Sequence, residues 1–147
     1  MREKRTVYLA YGSNLNLRQM AHRCPDAKPW GAMPLQNWKL EFWGRGGSAF
    51  ATIVPSEGDF VTVGVWSITA RDERALDVYE GYPKLYRKEY LPLKWGGRHV
   101  KAMVYIMNYG EVNVPSERYF DTILDGYADF GIVPESLYLA LSEALEK

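Results

Sequence analysis

The sequence has little that could lock it together covalently or load it with metal. Cys24 is its one cysteine, so no intramolecular disulfide can form, a pattern that fits a reducing cytoplasm. The two histidines, His22 and His99, are far apart and lack ligand-spaced companions, so no zinc pattern is present. An excess of one charge is missing too. Lys plus Arg and Asp plus Glu number 18 each, for a formal net charge of zero. That balance supplies no positive field to hold nucleic acid. The basic start, Arg2, Lys4 and Arg5, is short and broken by Glu3, and reads as a solvated tail over residues 1–5. No apolar run is long enough to span a bilayer, and the start lacks an apolar stretch of signal-peptide length, so no membrane partner is expected. None of the serines lies in a G-x-S-x-G setting, and the glycines of 44–47 are not followed by Gly-Lys-Ser/Thr. Those absences leave no serine-triad or P-loop pattern. Cys24 precedes Pro25 with no marked base nearby and reads as an inert thiol.

What the sequence does have is aromatic residues. They make up 14% of the chain, with 11 Tyr and 5 Trp. Such side chains suit a walled pocket with a few inward polar tips, or equally an aromatic core or a dimer surface. At 147 residues and 47% hydrophobic, the chain is the size of one compact domain spanning 1–147. Val7 to Tyr11 reads as a buried strand stopped by Gly12, and Asn14 to His22 as a helical turn with Leu17 and Met20 on one side. Trp38, Leu40 and Phe42 alternate with polar or outward residues as in a half-buried strand. Two more strands, Ala49 to Val54 and Val61 to Ile68, flank a hairpin-turn composition at Pro55 to Asp59. Thr69 and Asp72 have capping-box spacing before a helix over 70–80 that Gly81 ends. Tyr86 to Leu93 and His99 to Met107 form a hairpin around Lys94 to Arg98. Ser116 opens a helix bearing Tyr119, Ile123 and Tyr127, and Pro134 opens a last one with Leu137, Leu141 and Leu145. Strands early and helices late point to an α+β fold on a mostly antiparallel sheet, open or closed.

Two places carry candidate chemistry. Tyr11-Gly12-Ser13-Asn14 follows a strand directly, where glycine lets backbone approach a ligand and successive N–H groups face a carboxylate or carbonyl. An ordinary loop has the same composition. Glu80 closes a helix whose C-terminal dipole disfavours a carboxylate. Set between Tyr79 and Tyr82, it would titrate above its usual range if buried, as proton transfer near neutrality requires. An exposed last-turn glutamate is the other reading, and Asp77 on the same face reads as solvated.

Taken in order, the motifs resemble the γ-glutamylcyclotransferase family, including small bacterial avirulence-induced-gene-like members. The resemblance rests on Tyr8-x-Ala10-Tyr11-Gly12-Ser13-Asn14-Leu15, Leu40-x-Phe42, Ala51-Thr52-Ile53, Gly64-Val65-Trp66, Leu76-Asp77-x-x-Glu80-Gly81, Tyr105-x-Met107 and Tyr119. It implies a small mixed, barrel-like sheet with flanking helices, and a cytoplasmic enzyme that needs no cofactor. Its reaction would be closure of a small γ-glutamyl substrate to 5-oxoproline with release of an amine. Glu80 matches the family's catalytic acid/base. Tyr8, Leu9, Ala10, Tyr11, Gly12, Ser13 and Asn14 match the substrate loop, and Tyr119 a pocket tyrosine. Asn14 stands where the glutathione-specific relatives usually carry Leu, which favours the broader γ-glutamyl group. Pro83 to Tyr86 departs from the family pattern on the leaving-group side. A γ-glutamyl-amine or protecting-group cyclotransferase, a silent ligand-binding module and a homodimer all remain compatible.

Overall fold

The apolar run after the first residues forms β1 (Arg5–Ala10), the central strand of the only sheet among the described residues. Tyr8, Leu9 and Ala10 are each at most 2% exposed, as a run covered on both faces should be. The computed structural model describes residues 4–147, and its strands and helices follow in chain order. After β1 come α1 (Leu17–Arg23), β2 (Lys28–Trp43), β3 (Phe50–Thr69) and α2 (Ala70–Glu80). Then follow β4 (Tyr86–Trp95), β5 (Arg98–Met107), α3 (Glu117–Asp129) and α4 (Glu135–Leu145). The sheet order is β2-β3-β1-β5-β4. Every pairing is antiparallel except that of β1 with β5.

The sheet curls until its two outer strands touch. Trp30 of β2 stacks on Trp95 of β4, with centroids 6.2 Å apart and planes at 22°. A Cβ on Gly31 would lie 3.0 Å from the Trp95 ring. The barrel-like shape is therefore closed at this point by side chains rather than by a hydrogen-bonded ladder.

Several elements depart from the sequence reading. Arg5 is no solvated tail. It begins β1, and its guanidinium donates to the backbone oxygens of Ser67 (3.1 Å) and Asp26 (3.2 Å). Arg2 and Glu3 lie outside the described residues. The turn composition at Pro55 to Asp59 does not reverse the chain. Register passes from Trp38↔Pro55 to Gln36↔Phe60, so residues 56–59 bulge while β3 continues along β2 on both sides. Asn37, at φ 68°, accepts the Gly58 N–H on its side-chain oxygen at 3.1 Å and fixes the bulge. Because β2 is 16 residues long, it pairs with both halves, and local turn chemistry becomes a bulge. Leu17 is 40% exposed while Met20 is buried, and in α4 Leu145 is 64% exposed, its inner face being Leu137, Ala140 and Ala144. The Gly96-Gly97 connection of β4 to β5 has both residues at positive φ, the two-residue hairpin geometry.

Cys24 is buried, and burial pushes its thiol up to about 12, with Asp72 adding to the rise. Among the described residues no helix is long and apolar enough to cross a membrane.

Candidate active site

Local sequence places Glu80 at a fixed depth. The Thr69 side chain accepts the Asp72 N–H at 3.2 Å and Asp72 accepts the Thr69 N–H at 3.1 Å, so α2 starts at a complete capping box. Gly81 ends it in the left-handed conformation at φ 66°. Glu80 is the last helical residue between those two stops. It faces a cavity of about 170 Å³ at one end of the sheet. Tyr8 enters from β1, Tyr11 and Gly12 from the link after it, Ser13 and Asn14 from the 3₁₀ turn that follows, and Phe50 and Ala51 from the start of β3. Tyr79 comes from α2, Leu85 from the turn before β4, Tyr86 from the start of β4, Tyr105 from β5 and Tyr119 from α3.

Burial pushes the Glu80 carboxyl up to about 7, and the Arg23 guanidinium draws it back down. No hydrogen bond reaches this carboxylate from the described residues. Burial also raises Tyr8, Tyr11, Tyr86 and Tyr119 well above the usual phenol range, with the Glu80 charge adding to each. Those phenols surround the carboxylate as neutral groups.

Of the flanking pair Tyr79 and Tyr82, only Tyr79 shares the cavity with Glu80. Tyr79 forms cavity wall, its hydroxyl 2.9 Å from Ser13 Oγ. Tyr82 lies outside the cavity, 39% exposed, edge-on to Tyr105 and with Lys88 Nζ 4.3 Å from its ring centroid. Asp77 is not solvated either. It accepts the Tyr105 hydroxyl at 2.6 Å and pairs with Lys88 Nζ at 2.9 Å, tying α2 to the wall formed by β4 and β5.

The loop is held from several sides. Asn14 donates to the Tyr8 hydroxyl at 2.8 Å, accepts from Arg23, and its backbone oxygen takes the Trp66 indole N–H at 3.1 Å. Gly12 has φ −124°, so the left-handed option is unused. A Cβ there would sit 3.3 Å from Ala51 Cβ and 3.4 Å from the Tyr119 hydroxyl, so it is close approach, not backbone conformation, that favours glycine. Tyr119 in turn accepts the Ala51 N–H at 3.0 Å. Of the candidate residues, Tyr8, Tyr11, Gly12, Ser13, Asn14, Glu80 and Tyr119 meet in the cavity. Leu9 and Ala10 do not line it; both are packed in the core. For Leu9 the alternation of a strand is reason enough, since its neighbour Tyr8 faces the cavity.

Phe50 and Arg23 escaped the sequence reading, while Leu85, Tyr86 and Tyr105 entered it only as segment or motif residues with no assigned role. Arg23 bonds Asn14 and, at 2.8 Å, Gln19, and its guanidinium carbon stands 3.4 Å from the Tyr79 ring centroid. The one available signal was its place on the helix directly after the loop.

Fold and cavity together define a class, namely small α+β proteins with one ionisable carboxylate inside a tyrosine-walled pocket beside a glycine loop. The model of the family "Gamma-glutamyl cyclotransferase, AIG2-like" matches residues 8–122. The γ-glutamylcyclotransferase of Homo sapiens is 30% identical over 139 residues, covering 88% of this chain and 74% of that protein. The Bos taurus γ-glutamylcyclotransferase is 30% identical over 138 residues, covering 86% of this chain and 72% of that one. A solved γ-glutamyl cyclotransferase superposes with a TM-score of 0.82 at 27% identity, over 93% of this chain and 86% of that one. The chain belongs to the γ-glutamyl cyclotransferase, AIG2-like family, and it is an enzyme of that type.

Proposed function

We propose that the enzyme closes a γ-glutamyl amide to 5-oxoproline and frees the amine, with Glu80 moving the proton. The observation that carries this reading is an unpartnered carboxylate, raised to about 7, inside the cavity that the Gly12 loop borders. A group titrating there both takes and returns a proton near neutrality. Glu80 accepts a proton from the substrate's α-ammonium group, and the freed amine attacks its own γ-carbonyl carbon. The bond from that carbon to the leaving nitrogen then breaks as Glu80 returns the proton to it. The second proton, shed by the ring nitrogen, follows through the same carboxylate, so that the amine departs as its ammonium ion. Because nucleophile and carbonyl belong to one molecule, holding the arm folded supplies much of the catalysis, up to roughly 7–11 kcal/mol in ideal systems.

Tyr8 and Tyr119 suit the binding half. Their oxygens already accept from Asn14 and from the Ala51 N–H, which leaves both phenol protons to donate to a carboxylate or a developing oxyanion. The leading N–H groups of the turn after Gly12 would add donors of the same kind. The test is release of 5-oxoproline from a panel of γ-glutamyl compounds. Glu80→Gln keeps the shape and removes proton exchange, so kcat should fall by about 10²–10⁴-fold. Near-normal turnover in the folded variant would reject Glu80 as the proton carrier.

A further inference from the structure

The cavity has two unlike ends. Its floor is polar and covered: Tyr8, Asn14, Tyr86 and Tyr105 are at most 4% exposed, and they bring three phenols and an amide. Its rim is apolar and open. Phe50 and Tyr79 are each 45% exposed, and half-buried Leu85 stands beside them. Glu80 is the only charged residue in the lining, which contains no Lys, Arg or Asp. The nearby cation, Arg23, is committed to Asn14, Gln19 and the face of Tyr79.

The rim is also built rather than loose. Leu85 donates its N–H to Gly81 at 2.8 Å and accepts the Asn108 N–H at 3.0 Å. Asn108 Nδ2 further donates to the backbone oxygens of Pro83 and Lys84, both at 2.8 Å. Phe50 is held by its register opposite Trp43 and by edge contact with Tyr119 at 5.4 Å.

A γ-glutamyl amide has matching ends. Its zwitterionic head needs donors and a proton acceptor, which the Tyr8 and Tyr119 phenol protons and Glu80 supply. Its leaving amine must then project through the rim. We infer that Phe50, Leu85 and Tyr79 form a leaving-group subsite for neutral apolar or aromatic amines, selecting γ-glutamyl derivatives whose released amine carries no second charge. The inference rests on the cyclotransferase reading above and adds the class of amine.

Four amides test it: γ-glutamyl phenethylamide, γ-glutamyl ethylamide, γ-glutamyl 2-aminoethylamide and γ-glutamylglycine. kcat/KM is read from 5-oxoproline release. The phenethylamide should exceed the ethylamide by about 10-fold or more, the usual scale for apolar surface filling a pocket. The ammonium-tailed and carboxylate-tailed compounds should fall below the ethylamide. In Phe50→Ala and Leu85→Ala, each first checked by circular dichroism, the phenethyl-to-ethyl ratio should drop several-fold. Equal rates for all four, a preference for a charged tail, or an unchanged ratio in both folded variants overturns the subsite while leaving the cyclotransferase reading intact. No release from any of the four overturns that reading and the subsite with it.

Discussion

Glu80 carries a cost in the folded protein that a glutamine in its place does not. Burial holds its carboxyl at about 7 against an ordinary 4.5, so between those values the unfolded chain ionises while the folded one keeps its proton. Stability therefore falls as pH rises through that window, and the loss is complete above 7. Glu80→Gln should be more stable than wild type at pH 8 by roughly 1–3 kcal/mol, with the difference gone at pH 4. Urea denaturation at both pH values measures it; an equal or less stable variant at pH 8 contradicts the burial. Arg23 pulls in the opposite direction on the same group. In Arg23→Met the acidic limb of kcat/KM should move above pH 7, and in Arg23→Lys, which keeps the charge, back toward it. A limb that stays put in both variants makes Arg23 a structural residue only. At this scale the sequence disclosed Glu80 because its position is local, set between a capping box and Gly81. It did not disclose Arg23, nor what Tyr105 does, because their partners Asn14, Tyr79 and Asp77 are joined to them only by the folded chain.

The helices were legible for the same local reason, since the residues of each cap lie within one turn of each other, as Thr69 and Asp72 do. The bulge in β3 was not, because only the length of β2 decides that residues 56–59 bulge instead of turning back. A second feature invisible to local patterns is the seat of α3 on the loop that follows β1. Asn16 Nδ2 donates to the Thr122 oxygen at 3.0 Å, and the Leu17 N–H donates to Asp129 Oδ2 at 3.0 Å. Between these contacts Gly126 lets the helix approach so closely that a Cβ would lie 2.7 Å from the backbone nitrogen of Asn16. Helix propensity alone favours Gly126→Ala by about 1 kcal/mol. The clash is with backbone, which yields poorly, so the variant should instead be destabilised, by roughly 1–3 kcal/mol. Because α3 also carries Tyr119, its 5-oxoproline affinity should weaken as well. Thermal unfolding and product titration check the two effects, and a more stable variant would show that the helix can lift off without cost.

Across the whole molecule, chemistry and closure lie at opposite ends of the sheet. Tyr86 begins β4 at the cavity, whereas Trp95 ends the same strand on the Trp30 contact. Nine residue steps of strand separate them, roughly 30 Å at about 3.3 Å each. The tryptophan pair joins edge strands that no backbone ladder connects, so its loss should loosen the curl locally without reaching the tyrosine floor. Trp95→Ala removes the stacking and the ring that packs on Gly31. For a partly buried aromatic this should cost about 1–3 kcal/mol, below the 3–5 typical of a fully buried one. The floor is held separately, by the Tyr11 hydroxyl on the Tyr105 oxygen at 2.6 Å and by the Tyr86 hydroxyl on the Ala51 oxygen at 2.7 Å. kcat/KM at 25 °C should therefore stay within about three-fold of wild type, as expected for sites too distant to couple. Urea midpoints and turnover measured on the same preparation separate the two quantities. If turnover at 25 °C drops ten-fold or more while the variant remains folded, the curl of the sheet sets the spacing of the tyrosines, and closure and chemistry are one mechanical unit.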